Sequence, residues 1–362
     1  MTMATISSNR ATFAQATWLV AEREIKTLVG TKGFWISFVV TIAGLFALTV
    51  LPTVFGGDDP KVAAVGSAVQ VVKGKALDVR EVADVQTASD LIRADEVEAA
   101  IVPDGSGIKV LALNDPPGDV IRQLVASPPV ELLDPSAVSS DQRFVTVLVF
   151  GLVFLMFGMG GAAIAQSTVT EKQTRIVEIL VSTVPVRALL AGKILGHVIL
   201  TMGQVIVLAL TAPIALRVAG LSELLAVVVP ALGWFIPFLL LGFVLISSMW
   251  AVAGALVSRQ EDLGSTMGLV MIAVMGPYFG VQFFFDNPAV LAVMSYVPFT
   301  AGVAMPVRMF AQQAQPWEAL ASLGILAATV VVILLVASRL YTGSLLQTGT
   351  RVKLSKAWAP AE

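Results

Sequence analysis

Among 362 residues there is no cysteine and only one histidine, His197. The first absence excludes disulfides, thiolate catalysis, iron–sulfur clusters and cysteine-ligated zinc. The second leaves no set of imidazoles from which to build a metal centre. Charge is scarce too: Asp, Glu, Lys and Arg make up 13% of the chain while hydrophobic residues make up 56%, against roughly 25% and 45 to 50% in soluble domains. That balance excludes a soluble globule. No GxxxxGK[ST] loop occurs anywhere, so the chain lacks the phosphate cradle of a nucleotide hydrolase.

What is present is a series of apolar runs. They fall at 34–56, 144–166, 194–216, 224–257, 264–285 and 319–340, and each is long enough to cross about 30 Å of hydrocarbon as a helix. The expected fold is an all-α polytopic membrane protein with six transmembrane helices. The first run is too long for a signal-peptide core and has no small-residue cleavage site before Gly56-Gly57-Asp58, so it reads as an uncleaved anchor. The run at 224–257 would measure about 50 Å as one helix; it must tilt, protrude or break, with Pro230 and Pro237 as the natural break points. A further run at 289–305 holds Pro298 at its centre and is followed by Pro306. It is expected as an outer re-entrant hairpin over 287–310, since broken backbone is tolerated at membrane depth where protein buries it.

Between these runs lie polar segments. Residues 1–33 carry Arg10, Arg23, Lys26 and Lys32, with apolar residues at Trp18, Ala21, Ile25, Leu28 and Val29, the pattern of a cytoplasmic amphipathic helix along the membrane. Residues 57–143 contain strand-like runs at 62–65, 77–82, 99–102 and 108–113 and a helical stretch at 87–97 with Thr87 as its cap. A small α/β extracytoplasmic domain is therefore expected between spans one and two. Residues 144–341 hold spans two to six, and 342–362 form a cytoplasmic tail. With six spans both termini are cytoplasmic; the inner segments then carry thirteen Lys/Arg and seven Asp/Glu, the outer ones ten and eighteen. The basic excess lies inside, as topology rules require.

The most informative inner segment is 170–184. There Ile176, Ile179, Leu180 and Val184 share a face, Thr170 is placed to cap, and Pro185 stops the helix. Periodicity alone leaves two readings open: an interfacial helix lying on lipid, or a docking helix for a cytoplasmic partner.

The run Glu171-Lys172-Gln173-Thr174-Arg175-Ile176-Val177-Glu178-Ile179-Leu180, followed by Ser182-Thr183-Val184, Leu190-Ala191-Gly192-Lys193 and Gly196, resembles the first intracellular loop of type-2 ABC exporter permeases. Within that class it is most similar to the Nat-type sodium-exporter permeases. The basic N-terminal helix, the outer domain, and Tyr296-Val297-Pro298-Phe299-Thr300 with Met305-Pro306 and Arg308 extend the likeness over nearly the whole chain. The resemblance implies the type-2 ABC exporter fold and a permease subunit in a prokaryotic plasma membrane, not itself an enzyme. It implies no cofactor in this chain, ATP and Mg on a separate ABC ATPase present in two copies, and a second permease chain, identical or a sister. Membrane lipid is a further partner and nucleic acid is not. The segment 171–183 would then be a coupling helix, with Glu171, Lys172, Arg175 and Glu178 fixing docking register and Ile176, Ile179 and Leu180 supplying buried area.

Elsewhere, His197, Thr201 and Gln204 fall on one face of span three; they line a translocation path or bond to neighbouring helices. Pro298, Phe299 and Arg308 are candidates for an outer gate, with a snorkelling arginine as the alternative for Arg308. Gly264 with Gly268 and Gly276 with Gly280 give close-packing spacings on span five. Sodium or a hydrophobic drug, peptide or lipid are the substrates in view; the spans offer no carboxylates for a desolvated cation. Two readings from other classes stay open: a carrier or channel that needs no ATPase, and a membrane receptor or anchor with an outer ligand domain.

Overall fold

The computed structural model describes residues 12–55, 60–105, 107–113, 117–124, 129–132, 140–219, 225–345, 347 and 357–358. They divide into two compact units, Met1–Val50 with Val147–Glu362, and Leu51–Thr146. The chain begins with helix α1 (Phe13–Val29), opened by a capping box between Thr12 and Gln15. It is followed by α2 (Lys32–Phe55), apolar on every side.

The smaller unit holds β1 (Lys61–Val65), α3 (Ala68–Val72), β2 (Asp78–Val82), α4 (Val85–Arg93), β3 (Ala99–Asp104), β4 (Gly107–Ala112), α5 (Gly118–Gln123) and β5 (Val130–Leu132). The strands form one sheet in the order β2-β1-β3-β4-β5, parallel except for the β3–β4 pair. Alternate residues of β1 face opposite sides. Val62 and Ala64 join α3 in one core, Ala63 and Val65 join Ala88 and Ile92 of α4 in the other, so helices cover both faces. Helix α4 starts earlier than Thr87 and ends before 97. Its cap is Asp84, whose carboxylate accepts the Thr87 N–H at 2.8 Å and the Thr87 hydroxyl at 3.1 Å, because an N-cap side chain bonds the amide three residues on and Thr87 already lies inside the first turn. Strand β5 and helices α3 and α5 are too short to leave a periodic signal.

The larger unit continues with α6 (Ser140–Gln173), α7 (Ile176–Thr183), α8 (Val186–Val218), α9 (Leu225–Ala255), a 3-10 turn (Gln260–Asp262), α10 (Leu263–Phe283), α11 (Pro288–Met294), α12 (Pro298–Phe310) and α13 (Pro316–Leu345). Among the described residues, five helical segments are long and apolar enough to cross a membrane: Lys32–Leu51, Val186–Val218, Gly233–Ala255, Gln260–Phe283 and Pro316–Leu345. The 224–257 run is one helix, unbroken at Pro230 and Pro237. Each proline deletes one backbone hydrogen bond without ending the helix. Residues 287–310 form two helices, α11 and α12, about 10 and 20 Å long; neither alone reaches across 30 Å.

The core of this unit lies where α9 packs on α10, α12 and α13, around the buried Phe238, Leu245, Trp250 and Tyr341. Trp250 fits there because position 161 is glycine: a Cβ at Gly161 would lie 1.9 Å from the indole. The large apolar residues on α2, Trp35, Ile36, Val39 and Val40, are exposed instead, as expected of side chains whose solvent is lipid.

Candidate functional site

Helix α1 turns to the protein a stripe of small residues and one acid: Ala16, Val20, Ala21 and Glu24 are buried, whereas Phe13, Trp18 and Leu19 are exposed. Large apolar groups gain nothing by leaving lipid, while small ones allow backbones to approach. The partner is α8, where Gly192 and Gly196 supply the room. A Cβ at Gly192 would come within 2.5 Å of Val20 Cβ, and one at Gly196 within 2.9 Å of the Ala21 carbonyl. These two glycines make the close crossing of α1 on α8; of the spacings on span five, Gly264, Gly268 and Gly276 meet nothing within 4 Å, whereas a Cβ at Gly280 would lie 2.8 Å from Met294 Cε.

That crossing closes over a ring of four alternating charges. Lys193 on α8 is fully buried; its ammonium donates to Glu24 Oε1 at 2.9 Å and to Ser167 Oγ at 2.7 Å and lies 3.1 Å from Glu171 Oε2. Arg23 donates to Glu24 Oε1 at 2.7 Å and to Glu171 Oε1. Ser167 in turn donates to Glu24 Oε2 at 3.1 Å. Two cations and two carboxylates leave the ring neutral, which is how ions taken out of water are tolerated. Burial pushes the Glu24 carboxyl upward, but Lys193 and Arg23 more than compensate and hold it at about 2.

One residue along α6, Lys172 makes a different junction. It is buried, and its ammonium donates to the carbonyl of Ala255, the last residue of α9, at 2.8 Å and to that of Ser344, near the end of α13, at 3.3 Å. Helix C-termini present unpaired carbonyls and negative partial charge, so a cation is suited to both. Without a carboxylate partner among the described residues, burial lowers its pKa to about 8. Four residues, Arg23, Glu24, Glu171 and Lys193, with Lys172 beside them, thus bind the end of α6 to α1, α8, α9 and α13.

The inner helix itself is shorter than 170–184. Helix α6 runs on through Gln173, with the Thr170 hydroxyl bonding back to Gln166 O at 2.9 Å instead of capping. The break comes at Arg175, which is left-handed at φ 56°, and α7 begins at Ile176. Nothing between Gln166 and Gln173 interrupts a helix, so the turn falls later, on a residue that pays about 1 to 2 kcal/mol for that backbone conformation. Arg175, Ile176, Glu178 and Ile179 are exposed, Ile179 to 68%, while Leu180 is half-buried and Val177 fully buried. Glu171 and Lys172, expected on the docking face, are turned inward instead. The structure places them in the two junctions described above, because they ride on α6 rather than on α7.

Farther along α8, His197 and Thr201 are buried and Gln204 is half-buried. Thr201 faces α6 at Gly160, where a Cβ would lie 3.3 Å from its hydroxyl. His197 Nδ1 meets Lys193 O at 2.9 Å and Nε2 has no partner. At the opposite end of the unit, Arg308 is buried and donates to Ser295 Oγ at 2.7 Å, Gln313 O at 3.0 Å and Glu318 Oε2 at 3.0 Å. It ties α12 to α11 and α13 rather than reaching outward as a snorkelling side chain does. Pro298 and Phe299 line an apolar pocket with α9 and α10. No group of His, Asp and Glu able to hold a metal occurs among the described residues.

Sequence reasoning missed Arg23, Glu24, Ser167 and Lys193. The signal was present in Glu24, which falls on the face of α1 that carries Ala16 and Val20, and in the Gly192-x-x-x-Gly196 spacing that brackets Lys193.

Comparison with known proteins follows the same lines. The model of the ABC-2 family transporter protein matches residues 119–339. Over 233 residues the chain is 27% identical to the uncharacterized protein YhaP of Bacillus subtilis (strain 168), covering 60% of this chain and 56% of that one. Over 201 residues it is 28% identical to the uncharacterized protein MJ1024 of Methanocaldococcus jannaschii, covering 54% and 49%. The chain thus spans about half the length of these relatives. No solved structure matches it. With more than half its length matched by the family model, and with five described helical segments long and apolar enough to cross a membrane, the chain belongs to the ABC-2 transporter family of multi-pass membrane proteins.

Proposed function

We propose that this chain is the permease subunit of an ATP-driven exporter, with hydrolysis carried out by two copies of a separate ATPase. The observation that carries the reading is α7: a short helix, set off by the left-handed Arg175, that exposes Ile176, Ile179, Arg175 and Glu178 together. An apolar pair flanked by opposite charges is the composition of a protein-docking face. In this reading α6 is span two and brings the number of crossings to six, which puts α7 and both termini in the cytoplasm and the sheet unit outside. The Nat-type likeness favours export, and a second permease chain completes the path.

Coupling follows from the root of α7. A partner that pulls α7 moves the last turn of α6, and there Glu171 and Lys172 are bonded to α1, α8, α9 and α13. Packed interfaces of this kind transmit displacement because they are bistable rather than soft. Docking register is set by Arg175 and Glu178, contact area by Ile176, Ile179 and Leu180. Glu171 and Lys172 act one step behind, by transmitting the motion.

The test is to purify the chain from its native membrane in mild detergent and identify what stays bound. A stoichiometric ATPase, lost with Glu178→Arg, is the expected result. Recovery of the chain alone, together with ion flux in liposomes containing nothing else, would overturn the proposal in favour of a carrier or channel.

A further inference from the structure

Helix α13 ends in a stripe that receives another stretch of backbone. Arg339, Leu340 and Gly343 share one side of the helix at helical spacing, and the Gly343 carbonyl accepts from the Gln347 side-chain amide at 2.7 Å. Position 343 has no room for a side chain: a Cβ there would lie 2.0 Å from the carbonyl oxygen of Ala357. Ala357 is 1% exposed and packs with Val252 of α9, with Leu256 just beyond that helix and with Leu340. Its neighbour Trp358 is exposed but lies against Arg339, whose guanidinium carbon is 4.9 Å from the ring centroid and whose Nε–H donates to the Trp358 carbonyl at 3.2 Å. An alanine in a notch left by a glycine, and a cation on an aromatic face, pin this segment to the two helices.

The segment lies beside the Lys172 junction. Lys172 donates to the carbonyls of Ala255 and Ser344, and Ala357 touches the residue next to each of them, Leu256 and Gly343. One segment therefore bridges the same two helix ends that one buried ammonium holds to α6. Eleven residues separate Leu345 from Ala357. That tether makes docking intramolecular, so contacts too few to hold a separate partner form again each time they break. Their small number also lets the segment open without unfolding the helices beneath it.

We propose that Ala357 and Trp358 form a reversible strap across the ends of α9 and α13, and that its closure holds the Lys172 junction together and so restrains the end of α6. The strap is a conformational device of this chain alone and goes beyond the permease reading. Helix α7 follows from the same end of α6, but the strap closes whether or not an ATPase is present.

The test uses the purified full chain in nanodiscs with no partner added. Because the chain has no cysteine, Ala357→Cys reports on the strap through its rate of reaction with a maleimide, compared with Glu261→Cys, whose native side chain is 77% exposed. A position that must open before it reacts should label about tenfold more slowly than the control. Adding Gly343→Ala, whose methyl would meet the Ala357 carbonyl, should raise the rate to that of the control.

Hydrogen exchange then follows the junction in chains without an introduced cysteine. Gly343→Ala and, independently, Trp358→Ala should speed exchange of the amides in 168–173 and 252–257. Alanine favours a helix over glycine, so the first substitution by itself would slow exchange within α13, and the second leaves the sequences of α6, α9 and α13 untouched. Labelling of Ala357→Cys at the control rate in the otherwise native chain, or slow labelling that Gly343→Ala does not relieve, would overturn the strap. Release of position 357 with exchange at 168–173 unchanged would overturn its hold on α6.

Discussion

The ammonium of Lys193 lies 2.9 Å from the carboxylate of Glu24, joining residues 169 positions apart in a place neither shares with solvent. Arg23 and Glu171 complete the pair's charge balance, and Gly192 and Gly196 bring α1 close enough for it to form.

Removing one member of the ring leaves the others buried and uncompensated. Lys193→Met should cost about 3 to 5 kcal/mol, read as a fall in the melting temperature of the purified chain. Adding Glu24→Gln should recover part of that loss, since the double variant leaves fewer orphaned charges. A double variant no better than the single one would show that the carboxylate does not depend on the lysine.

Gly192→Leu should displace α1 by overpacking, at a cost of about 1 to 3 kcal/mol. Its Cβ alone would collide with Val20 and with the Thr17 carbonyl at 2.7 Å. Limited proteolysis of sealed inside-out vesicles is the measurement: cleavage within α1 should rise in the variant, and Gly203→Leu, at a position with open surroundings, should leave it unchanged.

Much of this was legible in the sequence, and what was not had a physical cause. Apolar runs located the spans because hydrocarbon thickness sets their length. Hydrophobicity did not reveal the packed face of α1, since the side turned to protein carries the small Ala16 and Val20 with the acid Glu24 while the large Trp18 and Leu19 are exposed. Thr170 looked like a cap because the composition changes there, yet α6 continues to Gln173 and Glu171 goes with it. Arg308 had no visible partner in the sequence because Glu318 reaches it only after the chain folds back from α12 into α13.

Lys172 makes stability depend on alkaline pH. Its folded pKa, about 8, lies below the ordinary value of 10.5, so between those values the unfolded chain binds more protons and stability rises with pH. The melting-temperature difference between the wild type and Lys172→Met should therefore shift in favour of the wild type from pH 8 to 10. A difference independent of pH would mean that the group remains solvated.

Arg175→Gly should relieve the left-handed turn that separates α6 from α7, leaving thermal stability equal or slightly higher. It also removes a docking charge. ATPase capture should nevertheless weaken less than in Glu178→Arg, where a charge is reversed.

The central claim, that α7 is the surface through which an ATPase drives this permease, is tested most directly by cysteine accessibility. The chain has no cysteine of its own, so Ile176→Cys, Ile179→Cys and, as a lipid-facing control, Leu269→Cys can each be followed alone. The readout is maleimide labelling in native membranes with and without the ATPase. Protection of the two α7 positions when the ATPase is present, with labelling at 269 unchanged, is the expected result. Equal labelling of the two α7 positions with and without the ATPase would contradict it.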